Sequence, residues 1–415
     1  MTKRTPIGNP FLIGGAVTGA FFTDRAGERK RIARALGEPL GHLLVYGPRR
    51  MGKTSTLHVV REDLARRDRL VIMADLSTAS APADLASRLL QAATEGLGRR
   101  WPETLQWLVR RVGVRVGLVA DPSGLIFPTI DVGLRAAPPE EQQGALGAAL
   151  DAVESLAAHR RAHVGVILDE FQEIHRLGGQ RAEAELRGLL QRHRHVSYVL
   201  AGSDETLIRA MTGAQRPLYK LLEPLYFGAM DPAHLARWID ARLEGAGVKA
   251  RGVGARVAAV AGPRTRDVIQ VARGVFEAAR PTGVATPATV EEAFLEVVAG
   301  ESEPHRARWE LLSPFQQNVL RALAVRATGL TTAAIRRAFA LGPQGTATKA
   351  AQALVRQGFL AKDGTAYRYD SPFLRGWVIL QALPDVGIVL PASHDPAADS
   401  RQPTAVSRQP PAVSR

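Results

Sequence analysis

Residues 47–54 read Gly47-Pro48-Arg49-Arg50-Met51-Gly52-Lys53-Thr54, a complete phosphate-binding loop. An apolar run, Leu43-Leu44-Val45-Tyr46, precedes it and suits a buried parallel strand; Ser55 to Val60 follows and continues as a helix. Glycines at both ends let the backbone fold into a concave nest of N–H donors at a helix N-terminus, where phosphate oxygens bind. Lys53 adds a point charge for the β and γ phosphates, and the Thr54 hydroxyl suits Mg²⁺. Strand, loop and helix in this order imply an α/β chain with a parallel sheet that binds a nucleoside triphosphate.

A second motif points toward hydrolysis. His163-Val164-Gly165-Val166-Ile167-Leu168 is a nearly continuous apolar run, as expected of a parallel strand covered on both faces, and it ends in Asp169-Glu170. In phosphate-loop enzymes an acidic residue at that strand tip holds the metal, and a second carboxylate orients the attacking water. Asp169 is therefore the expected metal ligand with Thr54, and Glu170 the expected catalytic carboxylate. A third strand, Val196 to Ala201, runs into Gly202-Ser203-Asp204. Ser203 suits a γ-phosphate sensor, and equally an ordinary turn before a helix N-cap.

Together, Asn9-Pro10-Phe11, Phe22-Thr23-Asp24-Arg25 with Glu28, GPRRMGKTS, DEFQE and AGS resemble the archaeal-type ATPase family, of the AAA+/STAND division of phosphate-loop NTPases. Arg216-Pro217-Leu218-Tyr219 with Leu222-Glu223-Pro224-Leu225 is similar to the family's approach to its helical lid. Asp370 to Trp377 is similar to its closing motif after a winged helix, so the likeness spans roughly residues 8 to 380. It implies ATP as the nucleotide, with adenine held near Phe11 and the Phe22–Arg25 segment. It also implies an arginine reaching a neighbouring subunit's site, for which Arg216 is the candidate with Arg209 behind it; a solvated or internally paired arginine is the alternative.

Composition bounds the remaining choices. At 415 residues the chain has room for two or three domains. Zero cysteines exclude disulfides and cysteine-ligated zinc, and suit the cytoplasm. The N-terminus MTKRTPIGNPF lacks the apolar core of a signal peptide, and no apolar run nears the ~20 residues that span a bilayer. The formal charge of +14 sits on the folded regions, because the tail from Pro391 holds three arginines against two aspartates. That Pro/Ser/Arg/Ala-rich tail cannot bury a core and is expected to be disordered.

The expected organisation is an ATPase core at 1–228, a helical lid at 229–305, a winged helix at 306–385 and the tail at 386–415. Within the core, residues 99–139 read as an insertion: a basic helix and a β-ribbon built on Gly124–Phe127 and Thr129–Gly133. This insertion either touches a partner or is a solvated basic face. The lid shows helical patterns at Ala233–Glu244, Gly254–Ala261 and Thr265–Ala279. Its Gly262-Pro263-Arg264-Thr265-Arg266 is similar to the arginine-bearing second sensor of origin-recognition and initiator ATPases, making Arg266 a candidate to reach the γ-phosphate. A solvent-facing arginine at a helix start is the plain alternative.

Residues 309–380 predict three helices, Pro314–Arg326, Thr331–Phe339 and Thr346–Gln357, then a two-stranded wing turning at Lys362-Asp363-Gly364. Nine Lys/Arg face three acids across this span, a net of +6. That excess fits phosphate-backbone contact. Lys349, Gln352 and Arg356 on the candidate recognition helix, with Lys362 in the wing, would meet duplex DNA. In STAND proteins, however, a winged helix also serves as a packing module. The chain thus reads as a slow ATP-hydrolysing switch that contacts DNA, or as a signalling switch whose winged helix binds a protein partner or a second copy. A small-molecule kinase is disfavoured, since no acceptor pocket follows the loop.

Overall fold

The structure, a computed structural model, describes residues 8–97, 100–101, 115–120, 126–131, 142–325, 330 and 332–383. The expected basic helix of the insertion and the C-terminal tail lie outside the described residues. Two compact units divide the chain: Leu12–Asp231 with Arg264–Arg266, and Met1–Phe11 with Pro232–Pro263 and Asp267–Arg415.

The first unit contains a five-stranded parallel sheet in the order β2-β5-β6-β1-β7, where β1 is His42–Tyr46, β2 Leu70–Asp75, β5 Val164–Asp169, β6 Val196–Gly202 and β7 Glu223–Tyr226. β5 and β6 are buried throughout, the pattern of parallel strands covered by helices on both faces. Alternate residues feed two cores. Leu43, Val45, Val71, Ile167, Val199 and Ala201 pack with Ile32 and Leu36 of α1 (Ala26–Gly37) and Leu57 and Val60 of α2 (Lys53–Ala65). Leu44, Ile72, Val166, Leu168, Tyr198 and Leu200 face α3 (Pro82–Leu97), α4 (Ala145–His159) and α5 (Gln172–Arg192). Each fully buried aliphatic side chain contributes roughly 1.5–3 kcal/mol, so the sheet is clamped from both sides. The strand tips beside the phosphate loop rest on that rigid base.

β7 was not expected. It pairs with β1 as an edge strand, which is where a strand carrying Pro224 is tolerated, because proline cannot donate to a ladder. The insertion's ribbon also differs from expectation. β3 (Arg115–Ala120) pairs antiparallel with β4 (Ile126–Asp131), so the two stretches read as separate strands fall largely on one. Pro128 interrupts the alternation there and hides the single strand.

The second unit is largely helical. α7 (Pro232–Gly245), α8 (Val253–Ala261) and α9 (Thr265–Ala279) are followed by α10 (Pro287–Gly300) and α11 (Ser302–Glu310); α6 (Glu205–Met211) belongs to the first unit. α9 begins in the residues grouped with the first unit. Thr286 and Thr289 cap α10 reciprocally, and proline at its first position suits a helix start. Then come α12 (Pro314–Val325), α13 (Ala333–Ala338), α14 (Gln344–Arg356), the antiparallel pair β8 (Leu360–Asp363) and β9 (Ala366–Tyr369), and α15 (Pro372–Ala382). The pair turns at Gly364-Thr365, with Gly364 at φ 56°, so Lys362 and Asp363 of the predicted turn belong to β8 instead. α15 holds this region to α10 and α11: Phe373 packs on Phe294, and Trp377 donates to Ser302 Oγ at 3.0 Å. Among the described residues no helix is long and apolar enough to cross a membrane.

Candidate nucleotide site

Because all five strands run parallel, the loops after β1, β5 and β6 emerge at one edge of the sheet. That topology gathers the phosphate loop, Asp169-Glu170 and Ser203. Two glycines make the loop possible. A Cβ on Gly47 would lie 2.4 Å from the Phe227 carbonyl oxygen, and Gly52 sits at φ 91°. Arg50, between them, is also left-handed at φ 69°.

Lys53 opens α2 and is 6% exposed. Its ammonium donates to the carbonyls of Gly47 (2.8 Å) and Pro48 (2.7 Å), curling the loop over its own lysine. Burial pushes its pKa down to about 8, only partly offset by the carboxylates of Glu170 and Asp169. A triphosphate arriving here would restore the full positive charge.

Thr54 Oγ1 donates to Asp169 Oδ2 at 2.7 Å. Asp169 is 2% exposed, and burial pushes its pKa up to about 6 despite that bond. Glu170 follows in left-handed backbone at φ 54°, its N–H donating to Asp169 Oδ1 at 3.0 Å. A non-glycine residue there costs on the order of 1 kcal/mol or more, and the turn directs the two carboxylates to different partners. Ser203 Oγ donates to Glu170 Oε2 at 2.8 Å, and the Gln172 amide donates to the same oxygen. Arg49 Nε reaches Ser203 Oγ at 3.3 Å. Loop, β5 tip and β6 tip are thus one hydrogen-bonded network.

Ser55 Oγ accepts from Val17 N at 3.1 Å, tying the segment before α1 to the loop's helix. The backbone N–H of Arg266 donates to Arg50 O at 3.2 Å, while its side chain is exposed. The remaining expected residues have other partners or belong to the second unit. Arg216 pairs with Glu183, a fully buried carboxylate that also meets His175 Nδ1 at 2.6 Å. Its guanidinium takes the internally paired alternative. Phe11 is 1% exposed and packs edge-on against Trp238, both in the second unit. Lys349, Gln352 and Arg356 lie along α14, away from its buried Ala347, Ala351 and Leu354, and Lys362 lies on β8.

Two residues inside motifs quoted from the sequence take roles that the sequence had not assigned to them. Gln172, buried beside Glu170, stood in the DEFQE motif with no role of its own. Arg25 is 3% exposed; its guanidinium donates to Met51 O (3.1 Å) and Gly228 O (2.7 Å), pairs with Glu28 and stacks 4.2 Å over Phe227. It staples the loop to the end of β7. The motif of Arg25 with Glu28 is local, but its stapling role is not, because the carbonyls it holds stand 26 and 203 positions away.

Comparison with known proteins agrees with this geometry. Residues 37–209 match the family model described as AAA domain. A Walker-type ATPase of Pyrococcus abyssi shares the fold at 16% identity and TM-score 0.56, over 86% of this chain and 96% of that one. The Aeropyrum pernix ORC2 protein, solved in ADPNP–ADP complexes, shares it at 18% identity and TM-score 0.53, over 87% and 95%. Among curated proteins nothing matches. Residues 37–209 are accordingly an AAA domain, and the chain has the fold of an archaeal-type, ORC-like AAA+ ATPase.

Proposed function

We propose that this protein is a cytoplasmic ATP-dependent switch that hydrolyses ATP slowly and contacts duplex DNA through its C-terminal module. The carrying observation is the network Thr54–Asp169 and Ser203–Glu170–Gln172, which joins the metal-binding and water-orienting positions to the phosphate loop. Thr54 and Asp169 suit Mg²⁺: two hard oxygen ligands already touch, and the buried carboxylate lacks a cationic partner in that contact. Mg²⁺, when bound, would neutralise charge developing on the β and γ phosphates. Lys53 would leave its carbonyls for those oxygens. Glu170 would accept a hydrogen bond from the attacking water, with Ser203 handed over to the γ-phosphate and Arg266 supplying a further cation. Arg216 stays with Glu183 in this reading.

Measured ATP binding and phosphate release test it. Lys53→Ala should abolish Mg²⁺-dependent binding, whereas Glu170→Gln should bind ATP and turn over orders of magnitude more slowly. Unchanged ATP affinity in Lys53→Ala would sink the proposal.

The DNA half rests on Lys349, Gln352 and Arg356 along α14, with Lys362 in the wing that follows. Charge reversal at Lys349 and Arg356 in the full chain should weaken binding to all duplexes, while Gln352→Ala should act only on preferred ones. The packing of α15 on α10 favours a second reading, in which this module is a protein-packing element of a signalling switch. Duplex binding that ignores the double reversal would select it.

A further inference from the structure

The opposite edge of the same sheet carries a feature that nucleotide chemistry does not use. There β2, β5 and β6, three adjacent parallel strands, are each preceded by an arginine-rich loop. Arg66-Arg67-Asp68-Arg69 leads into β2, His159-Arg160-Arg161-Ala162-His163 into β5, and Arg192-His193-Arg194-His195 into β6. Parallel pairing aligns these loops side by side across two strand spacings, roughly 10 Å. Seven arginines thereby meet one acid, Asp68, within the loops themselves.

The neighbouring acids are already engaged. Asp151 accepts from Arg192 and His193, and Glu154 from the Arg194 N–H and His195. Asp68 lies 3.6 Å from Arg100. By contrast Arg67, Arg69 and Arg161 are exposed and make no ion pair among the described residues. Arg67 and Arg69 also line an open groove of about 730 Å³ between α1 and α2, where Arg29, Lys30 and Arg34 add charge against Asp63 and Glu38. Loops and groove form one continuous basic face.

We infer that this face binds the phosphate backbone of duplex DNA, independently of the C-terminal module. Like charges that crowd a surface and outnumber the acids among them call for a polyanion, and guanidinium forks match phosphate oxygens two at a time. A duplex presents one negative charge per about 1.7 Å of axis, enough to meet all three loops at once. A second copy of this chain carries +14 and would be repelled. None of the three unpaired arginines has an exposed aromatic in its loop, so the contact would be to backbone and sequence-independent.

The test uses the full chain and a labelled mixed-sequence duplex, titrated between about 50 and 200 mM salt. The variant Arg67→Glu/Arg69→Glu/Arg161→Glu should bind at least tenfold more weakly at low salt. Its slope of log affinity against log salt should fall by two to three, at about 0.9 for each phosphate that goes unneutralised. The matching triple glutamine variant should show a smaller weakening of the same kind, and both should keep wild-type ATP binding and thermal midpoint. An unchanged slope in both variants overturns the inference. So does polyglutamate competing as well as DNA per charge, which would make the face a dock for an acidic protein. The Lys349→Glu/Arg356→Glu variant separates this face from the proposed function. If that variant alone removes all binding, the sheet edge is not a DNA surface. If it retains binding that the triple variant lacks, the sheet edge stands and the C-terminal module falls.

Discussion

The two ends of the strands in the central sheet both gather ionisable groups, and they handle them in opposite ways. Where the strands end, polar groups are buried and cross-bonded: Lys53 on two carbonyls, Asp169 on Thr54, Glu170 on Ser203 and Gln172. Where the strands begin, arginines stand in solvent, and several touch no acid among the described residues. Burial moves both groups proposed to hold nucleotide and metal, Lys53 down to about 8 and Asp169 up to about 6. Such groups destabilise the empty fold and are relieved by ligand. The exposed arginines carry no such penalty, and removing them should leave the fold intact. One edge is therefore preorganised chemistry, and the other is inexpensive electrostatics.

The sharpest way to break this contrast is at Glu170. Replacement by glutamine keeps the side chain's size and its bond from Ser203, so turnover should fall about 10³-fold, roughly 4 kcal/mol of barrier. ATP affinity should stay within a few fold. Single-turnover phosphate release measures it, and a rate within tenfold of wild type would show that Glu170 does not orient the water.

Arg216 provides the next largest effect and one of a different kind. Its partner Glu183 is fully buried, so Arg216→Ala leaves a charge stranded and should cost about 3 kcal/mol of stability. Denaturant unfolding would show it. A finger in a neighbouring site would instead lower turnover with the unfolding midpoint untouched, and mixing with the Glu170→Gln protein would then rescue activity.

Legibility in the sequence follows the same division. The phosphate loop, the Asp169-Glu170 tip and the strands around them were visible, because each motif is contiguous and each buried strand is a largely apolar run. What stayed hidden was long-range. Arg25 meets Gly228 across 203 residues and Arg216 meets Glu183 across 33, and no periodicity encodes either. β7 was hidden because four residues containing Pro224 do not read as a strand until β1 is there to pair with them. The basic edge was hidden too, since its three loops are far apart in the chain and become one surface only when β2, β5 and β6 align.

Asp169 offers a smaller effect of opposite sign. A carboxyl whose folded pKa is raised contributes stability below its unfolded value of 3.8 that is lost as pH rises through about 6. At neutral pH the ionised, buried group therefore strains the empty protein. Asp169→Asn should raise the thermal midpoint of the nucleotide-free chain, by ~1–3 kcal/mol in stability, while removing Mg²⁺-dependent ATP binding. A midpoint at or below wild type would mean that the Thr54 bond already offsets the burial.

The two edges should also answer acid in opposite directions, which gives the smallest prediction. Burial holds His42 below the ordinary histidine value of 6.5, with Leu190 O accepting from its ring and His193 nearby. His163 is likewise lowered by burial, between Ser197, Arg69, His195 and Glu154, and His58 on α2 shifts the same way. A base whose folded pKa is depressed contributes stability present above 6.5 and lost as pH falls through its lower folded value. Protonation of Asp169 near pH 6 restores stability over the same window, so the wild-type profile from about pH 7.5 to 5 should be shallow. Asp169→Asn removes the compensating gain and should lose stability more steeply below about pH 6.5. His42→Gln combined with His163→Gln should flatten the fall instead. Differential scanning calorimetry at half-unit pH steps reads both slopes; parallel profiles for wild type and Asp169→Asn would show that the carboxyl is already relieved in the empty site.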